Sequence, residues 1–122
     1  MFRQKASFFV FRINKLHATK IAIFKRYVEM PAVTRLGDIC TGHGCWPPRP
    51  SVTASPNVYA NMIPVHRQTD GWAVHCCKSC HASNLASGSP NVYANNLQVG
   101  RIGDPVACGS RVASGSPNVF AN

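Results

Sequence analysis

Ser55-Pro56-Asn57-Val58-Tyr59-Ala60-Asn61 recurs as Ser89-Pro90-Asn91-Val92-Tyr93-Ala94-Asn95, and again as Ser116-Pro117-Asn118-Val119-Phe120-Ala121-Asn122. Upstream of each copy stands a second repeated segment. Val33-Thr34-Arg35-Leu36-Gly37-Asp38 matches Val65-His66-Arg67-Gln68-Thr69-Asp70 and Val99-Gly100-Arg101-Ile102-Gly103-Asp104, with Val-to-Val spacings of 32 and 34 residues. Repetition at a near-constant period marks an architecture built from copies of one small unit. The copies divide residues 30–122 into units at about 33–64, 65–98 and 99–122.

Each unit reads as turn, strand, turn, strand and loop. Ser-Pro-Asn opens a turn, because proline fixes φ and asparagine tolerates unusual backbone angles. Val-Tyr-Ala alternates large and small side chains, as a short strand does. Asn61-Met62 and Asn95-Asn96 occupy the place of a two-residue hairpin turn, with return strands from Ile63 to Arg67 and from Leu97 to Arg101. The stretch after each Asp varies in length: 18 residues from Asp38 to Pro56, 20 from Asp70 to Pro90 and 13 from Asp104 to Pro117. Strands are thus the frame and loops the elaboration. The fold class expected is mostly β: short strands and hairpins with pseudo-threefold symmetry.

The 122 residues hold 13 Lys+Arg against 4 Asp+Glu, a formal charge of +9, with nine Gly, nine Pro and six Cys. That suffices for one domain, and no apolar run approaches the roughly 18 residues of a membrane span. The charge is unevenly placed. Residues 1–29 carry seven basic residues, Glu29 and five of the six Phe, for a net +6, and no Gly, Pro or Cys. Residues 30–122 carry a net +3. Phe8-Phe9-Val10-Phe11 is too short for a secretory apolar region. This basic leader is expected to lie outside the domain, as upstream sequence from an early start codon or as a poorly docked segment. A transit peptide, or a basic amphipathic helix on a membrane or nucleic acid, is the alternative.

Asp38, Asp70 and Asp104 sit at one repeat position, each three residues after an Arg. Three copies argue for a structural turn or ion pair rather than catalysis. Tyr59, Tyr93 and Phe120 likewise read as core layers or interface. His43 lies five residues after Asp38, His75 five after Asp70, and Cys108 four after Asp104. Pseudo-threefold symmetry brings these loops to one end of the molecule, and His81 shares the loop of His75. Three imidazoles and one thiolate suit a tetrahedral zinc site. Disulfides are a competing use of six cysteines, and the run Cys76-Cys77-Lys78-Ser79-Cys80-His81 offers a thiolate-rich alternative. With the first set chosen, Cys40, Cys45, Cys76, Cys77 and Cys80 remain as free thiols, packing residues or one extra bridge. A Cys–His nucleophile pair finds no third orienting group, so no catalytic residue is assigned. His17 reads as leader surface and His66 as strand surface.

These features resemble the PAAR-repeat proteins, which tip the spikes of type VI secretion systems and contractile phage tails. The resemblance rests on Met30-Pro31-Ala32-Val33-Thr34-Arg35-Leu36-Gly37-Asp38, the Thr41-Gly42-His43-Gly44 loop, Pro64-Val65-His66-Arg67, Gly100-Arg101-Ile102-Gly103-Asp104 and the three Ser-Pro-Asn-Val units. It covers essentially all of residues 30–122. Thr69 departs from the pattern where Gly37 and Gly103 stand, and Gln98 replaces Pro64. The resemblance implies a small conical fold with a zinc near its apex, bound by three His and one Cys, which fall on His43, His75, His81 and Cys108. It further implies a blunt base seated on a trimeric β-helical spike, one tip per trimer, and transient contact with a target membrane. The site of action would be a virion tail or baseplate tip, or the bacterial cytoplasm before secretion. The expected role is structural, not enzymatic, with a separate effector as an optional passenger. A zinc-dependent nucleic-acid-binding module is the alternative suggested by +9. The domain's own +3 and the lack of a basic-aromatic stripe oppose it, so no nucleic-acid partner is expected.

Overall fold

A computed structural model describes residues 30–122, so the readings for the leader 1–29 and His17 fall outside the described residues. Among the described residues the regular elements are all strands. They are β1 (Tyr59–Ala60), β2 (Ile63–Pro64), β3 (Gly71–Cys77), β4 (Ser79–Asn84), β5 (Tyr93–Ala94) and β6 (Leu97–Gln98). They pair as three antiparallel hairpins, β1–β2, β3–β4 and β5–β6.

The first and third hairpins follow from their turn residues. Asn61 and Met62 have φ of 57° and 65°, and Asn95 and Asn96 have φ of 56° and 66°. Two consecutive left-handed residues make the turn whose twist matches that of the flanking strands. The return strands are shorter than the expected 63–67 and 97–101. Beyond Pro64 and Gln98 each chain segment leaves its own hairpin and pairs with a neighbouring unit. Arg35 bridges Val65, Arg67 bridges Val99, and Val33 bridges Arg101. The third unit takes its partner from the start of the domain, through Ala32 against Phe120. The three units therefore close into a ring.

A cycle of backbone hydrogen bonds marks the pseudo-threefold axis. Thr34 N–H donates to Gly100 C=O (2.9 Å), Gly100 N–H to His66 C=O (2.8 Å), and His66 N–H to Thr34 C=O (3.0 Å). The space inside is divided unequally. A Cβ at Gly100 would lie 2.8 Å from both Leu85 Cδ2 and Thr34 Cγ2, so glycine leaves room that the larger neighbours fill. His66 holds the equivalent place in the second unit. It is fully buried, with its ring edge-on to Trp72 at 4.7 Å between centroids, and its Nδ1–H donates to the Thr53 carbonyl at 2.9 Å. The strand-surface reading of His66 is thus corrected. Alternation gives a strand two faces, and cross-unit pairing turns this one toward the axis.

Two apolar layers stack along the fold. One holds Val33, Val65 and Val99 with Ala60, Ala94, Val119 and Ala121. The other holds Cys40, Trp72 and Val106, each two residues after a repeat Asp, with Leu85 and Val112. Valine and alanine, not the aromatics, fill the first layer: Tyr59 and Tyr93 are exposed and Phe120 half-buried. The repeat acids do what their triplication suggested. Arg35–Asp38, Arg67–Asp70 and Arg101–Asp104 form ion pairs at 3.0, 2.8 and 2.8 Å, and each Arg N–H also donates to its Asp carboxylate. The conspicuous addition is the β3–β4 hairpin, the longest element of the fold, in the stretch expected as a variable loop. Lys78, with φ of 67°, forms its tip.

Candidate metal centre

Each unit sends one ligand loop past the second apolar layer. His43 sits in the loop of the first unit, where it bridges Trp46. His75 and His81 face each other across β3 and β4 as a direct cross-strand pair, so one hairpin supplies two imidazoles. Cys108 comes from the tight turn of the third unit, in which Gly109 N–H donates to the Val106 carbonyl (2.9 Å). The four ligand atoms all lie within 4.8 Å of one another. The Nε2 atoms form a triangle with edges of 3.2 Å (His43–His75), 3.1 Å (His43–His81) and 2.9 Å (His75–His81). Nitrogens about 2.0–2.1 Å from a tetrahedral zinc stand about 3.3 Å apart, so the triangle has nearly the right size.

The tautomer of His75 is fixed by its surroundings. Its Nδ1–H donates to the Pro47 carbonyl at 2.7 Å, which leaves the Nε2 lone pair pointing at the other two rings. Ring nitrogens converging at this distance suit a cation between them. Burial, then the neighbouring His75 and Arg49, push the His43 imidazole below its ordinary pKa. Burial, then His75, His43 and Arg49, do the same to His81. Both rings are thereby held in the neutral form that ligates metal. Three imidazoles and a thiolate can hold a metal ion, and this donor set is compatible with zinc.

The depressed imidazoles set the sign of the pH response. His66 shares their direction, mainly through burial. Below the ordinary imidazole pKa of about 6.5, the unfolded chain binds protons that the folded chain refuses. Stability is therefore full above that value and falls as the pH drops below it. Urea denaturation of metal-free protein at pH 8 and pH 5 is expected to show the lower midpoint at pH 5.

Arg49 is the site residue that the spacing argument missed. It is 3% exposed. Its Nη2 donates to Cys108 Sγ at 2.9 Å, and its Nη1 to the carbonyls of Ala73 (2.8 Å) and His81 (3.3 Å). One guanidinium thus ties the sulfur of Cys108 to the hairpin that carries two of the candidate histidines. The available signal was slight: Arg49 lies outside the Arg-x-x-Asp pattern, between Pro48 and Pro50. Trp46 covers the site from the side. Its ring stacks on His43 at 5.1 Å, and its Nε1–H donates to the Ser79 carbonyl at 2.9 Å.

The remaining cysteines correct an expectation. Instead of one extra bridge there are two, Cys45–Cys77 and Cys76–Cys80. Adjacent residues on a strand point to opposite faces, so Cys76 and Cys77 each find a separate partner. Cys40 stays a free, buried core residue.

A closed ring of three β units with a His3Cys cluster beyond its second apolar layer defines a class of small metal-site repeat domain. A family model for the PAAR motif matches residues 41–114, which include all four candidate ligands, and the chain belongs to that family. Comparison with curated proteins returned no match.

Proposed function

We propose that residues 30–122 form a rigid tip that caps and sharpens a trimeric β-helical spike of a contractile injection machine, a phage tail or a type VI secretion system. The observation that carries this reading is the ring closure. One chain presents three near-equivalent units around an axis, through the bridges Arg35–Val65, Arg67–Val99 and Val33–Arg101. A single copy can therefore match a threefold surface that an asymmetric domain cannot match equally on all sides. Membership of the PAAR-motif family supports the same role.

In this reading the cluster holds one structural zinc at the end away from the spike. A small domain has little core to spare at its narrow end, and a metal held by loops from all three units supplies the missing cross-links. Four protein ligands leave no open position for water or substrate, so the domain acts mechanically, without catalysis. The tip would work at the virion baseplate, or await secretion in the bacterial cytoplasm, touch the target membrane transiently and need no nucleic acid.

Mixing the protein with a trimeric β-helical spike and measuring native mass tests the proposal. The expected complex has one tip per trimer, with binding nearly independent of salt because the domain carries a net charge of only +3. Three tips per trimer, or density along the spike's side in cryo-microscopy, contradicts capping. Steeply salt-dependent binding to DNA or RNA would favour a nucleic-acid module instead.

A further inference from the structure

Cys45 stands seven residues after Asp38 and Cys77 seven after Asp70, so the two share one repeat position, as His43 and His75 do at five residues. Their disulfide joins two ligand loops at equivalent points, two residues beyond each histidine. The second bridge, Cys76–Cys80, spans β3 and β4 in the register position next to the His75–His81 pair. Every candidate histidine ligand therefore lies one or two residues from a disulfide cysteine. The fourth ligand, Cys108, is secured differently, by the Arg49 guanidinium.

We propose that the two disulfides position the metal ligands, so that the affinity of the site is coupled to the redox state of Cys45–Cys77 and Cys76–Cys80. The proposal rests on the metal reading above. Its physical basis is preorganisation. Three Nε2 atoms must be held about 3 Å apart while their loops would otherwise sample many conformations. Cross-links beside the ligands remove that freedom before the ion arrives, which tightens binding without a new contact to it.

The redox step is thiol–disulfide exchange with a small dithiol. One thiolate attacks a sulfur of the protein disulfide and forms a mixed disulfide. The second thiol of the reductant then displaces the protein sulfur. Two electrons and two protons end on the cysteine pair, and the reductant leaves as a cyclic disulfide. Coupling of two equilibria is reciprocal. If the oxidised chain binds zinc more tightly, bound zinc must make the disulfides harder to reduce by the same factor.

The test uses the full chain loaded with zinc. Metal release to a chromophoric chelator is compared among the oxidised protein, Cys45→Ser/Cys77→Ser and Cys76→Ser/Cys80→Ser. Serine variants carry this arm because free thiols would themselves compete for zinc. Each double variant is expected to release zinc about 10-fold to 100-fold faster, the range for groups that orient metal ligands. Cobalt substituted for zinc should keep the spectrum of one thiolate with three imidazoles, since no ligand has been removed. The second arm titrates the unmodified protein with dithiothreitol, without zinc and at a free zinc concentration held constant by a metal buffer, because the reductant itself binds zinc; it needs no variant to fold. Zinc should move the midpoint to more negative potential by about 30 mV for each tenfold difference in affinity. Equal release rates with a zinc-independent midpoint, or a shift of opposite sign, overturn the coupling alone. Absence of zinc from every form overturns the metal reading and the coupling with it.

Discussion

Replacing His75 by alanine is expected to remove zinc and lower the melting temperature together, by about 10 °C or more for a domain of this size. His75 is the best-anchored of the candidate ligands: it is buried, its Nδ1–H is fixed on the Pro47 carbonyl, and its Nε2 lies 3.2 and 2.9 Å from the other two imidazole nitrogens. Its loss opens the corner where the first and second units meet. Treating the unaltered protein with a strong chelator should reproduce most of the drop, and chelator should then do little more to the variant. Calorimetry with metal analysis of the same samples checks this. A variant that loses stability but keeps its zinc would place the ligand elsewhere.

Arg49→Met carries the second large effect. Methionine fills the space of the side-chain stem but donates nothing, so the partly buried carbonyls of Ala73 and His81 and the sulfur of Cys108 lose a donor. A buried group left unpaired costs about 1–3 kcal/mol, and at the low end of that range, which suits three partly buried partners, the total is on the order of 3 kcal/mol. Zinc affinity should fall as well, by about 10-fold to 100-fold, because the guanidinium holds the thiolate ligand in place. Arg49→Lys, a point charge without the planar fork, should recover only part of both losses. Denaturant unfolding and competition for zinc against a chelator read the two effects separately. An Arg49→Met protein with unchanged zinc affinity would reduce this residue to packing alone.

The features legible from sequence are those that the repeat copies from unit to unit. The Arg-x-x-Asp pairs, the Asn-led hairpin turns, and His43 and His75 at five residues past their Asp all follow from comparing one unit with the next. His81 was reachable because it shares the variable loop of His75, six residues on, but that this loop is a hairpin pairing the two was not legible. What stayed hidden is what the units do differently. His66 occupies the place of Thr34 and Gly100, and only the cross-unit pairing reveals that this place lies on the axis. Arg49 has no counterpart with the same role in another unit, and its partners lie 24, 32 and 59 residues away. The Cys45–Cys77 bridge was visible in principle, since both residues stand seven past a repeat Asp. Choosing it over a thiolate-rich metal site needed the orientation of Cys76 and Cys77 on β3, which sequence spacing does not supply.

X-ray absorption at the zinc edge of the purified full-length protein tests the central claim most directly, because it counts the ligands without altering them. Three nitrogens at about 2.0–2.1 Å and one sulfur at about 2.3 Å around a single zinc per chain are expected for His43, His75, His81 and Cys108. A sulfur-rich shell, a water oxygen among the ligands, or protein that takes up no zinc would contradict a closed structural site at this end of the fold.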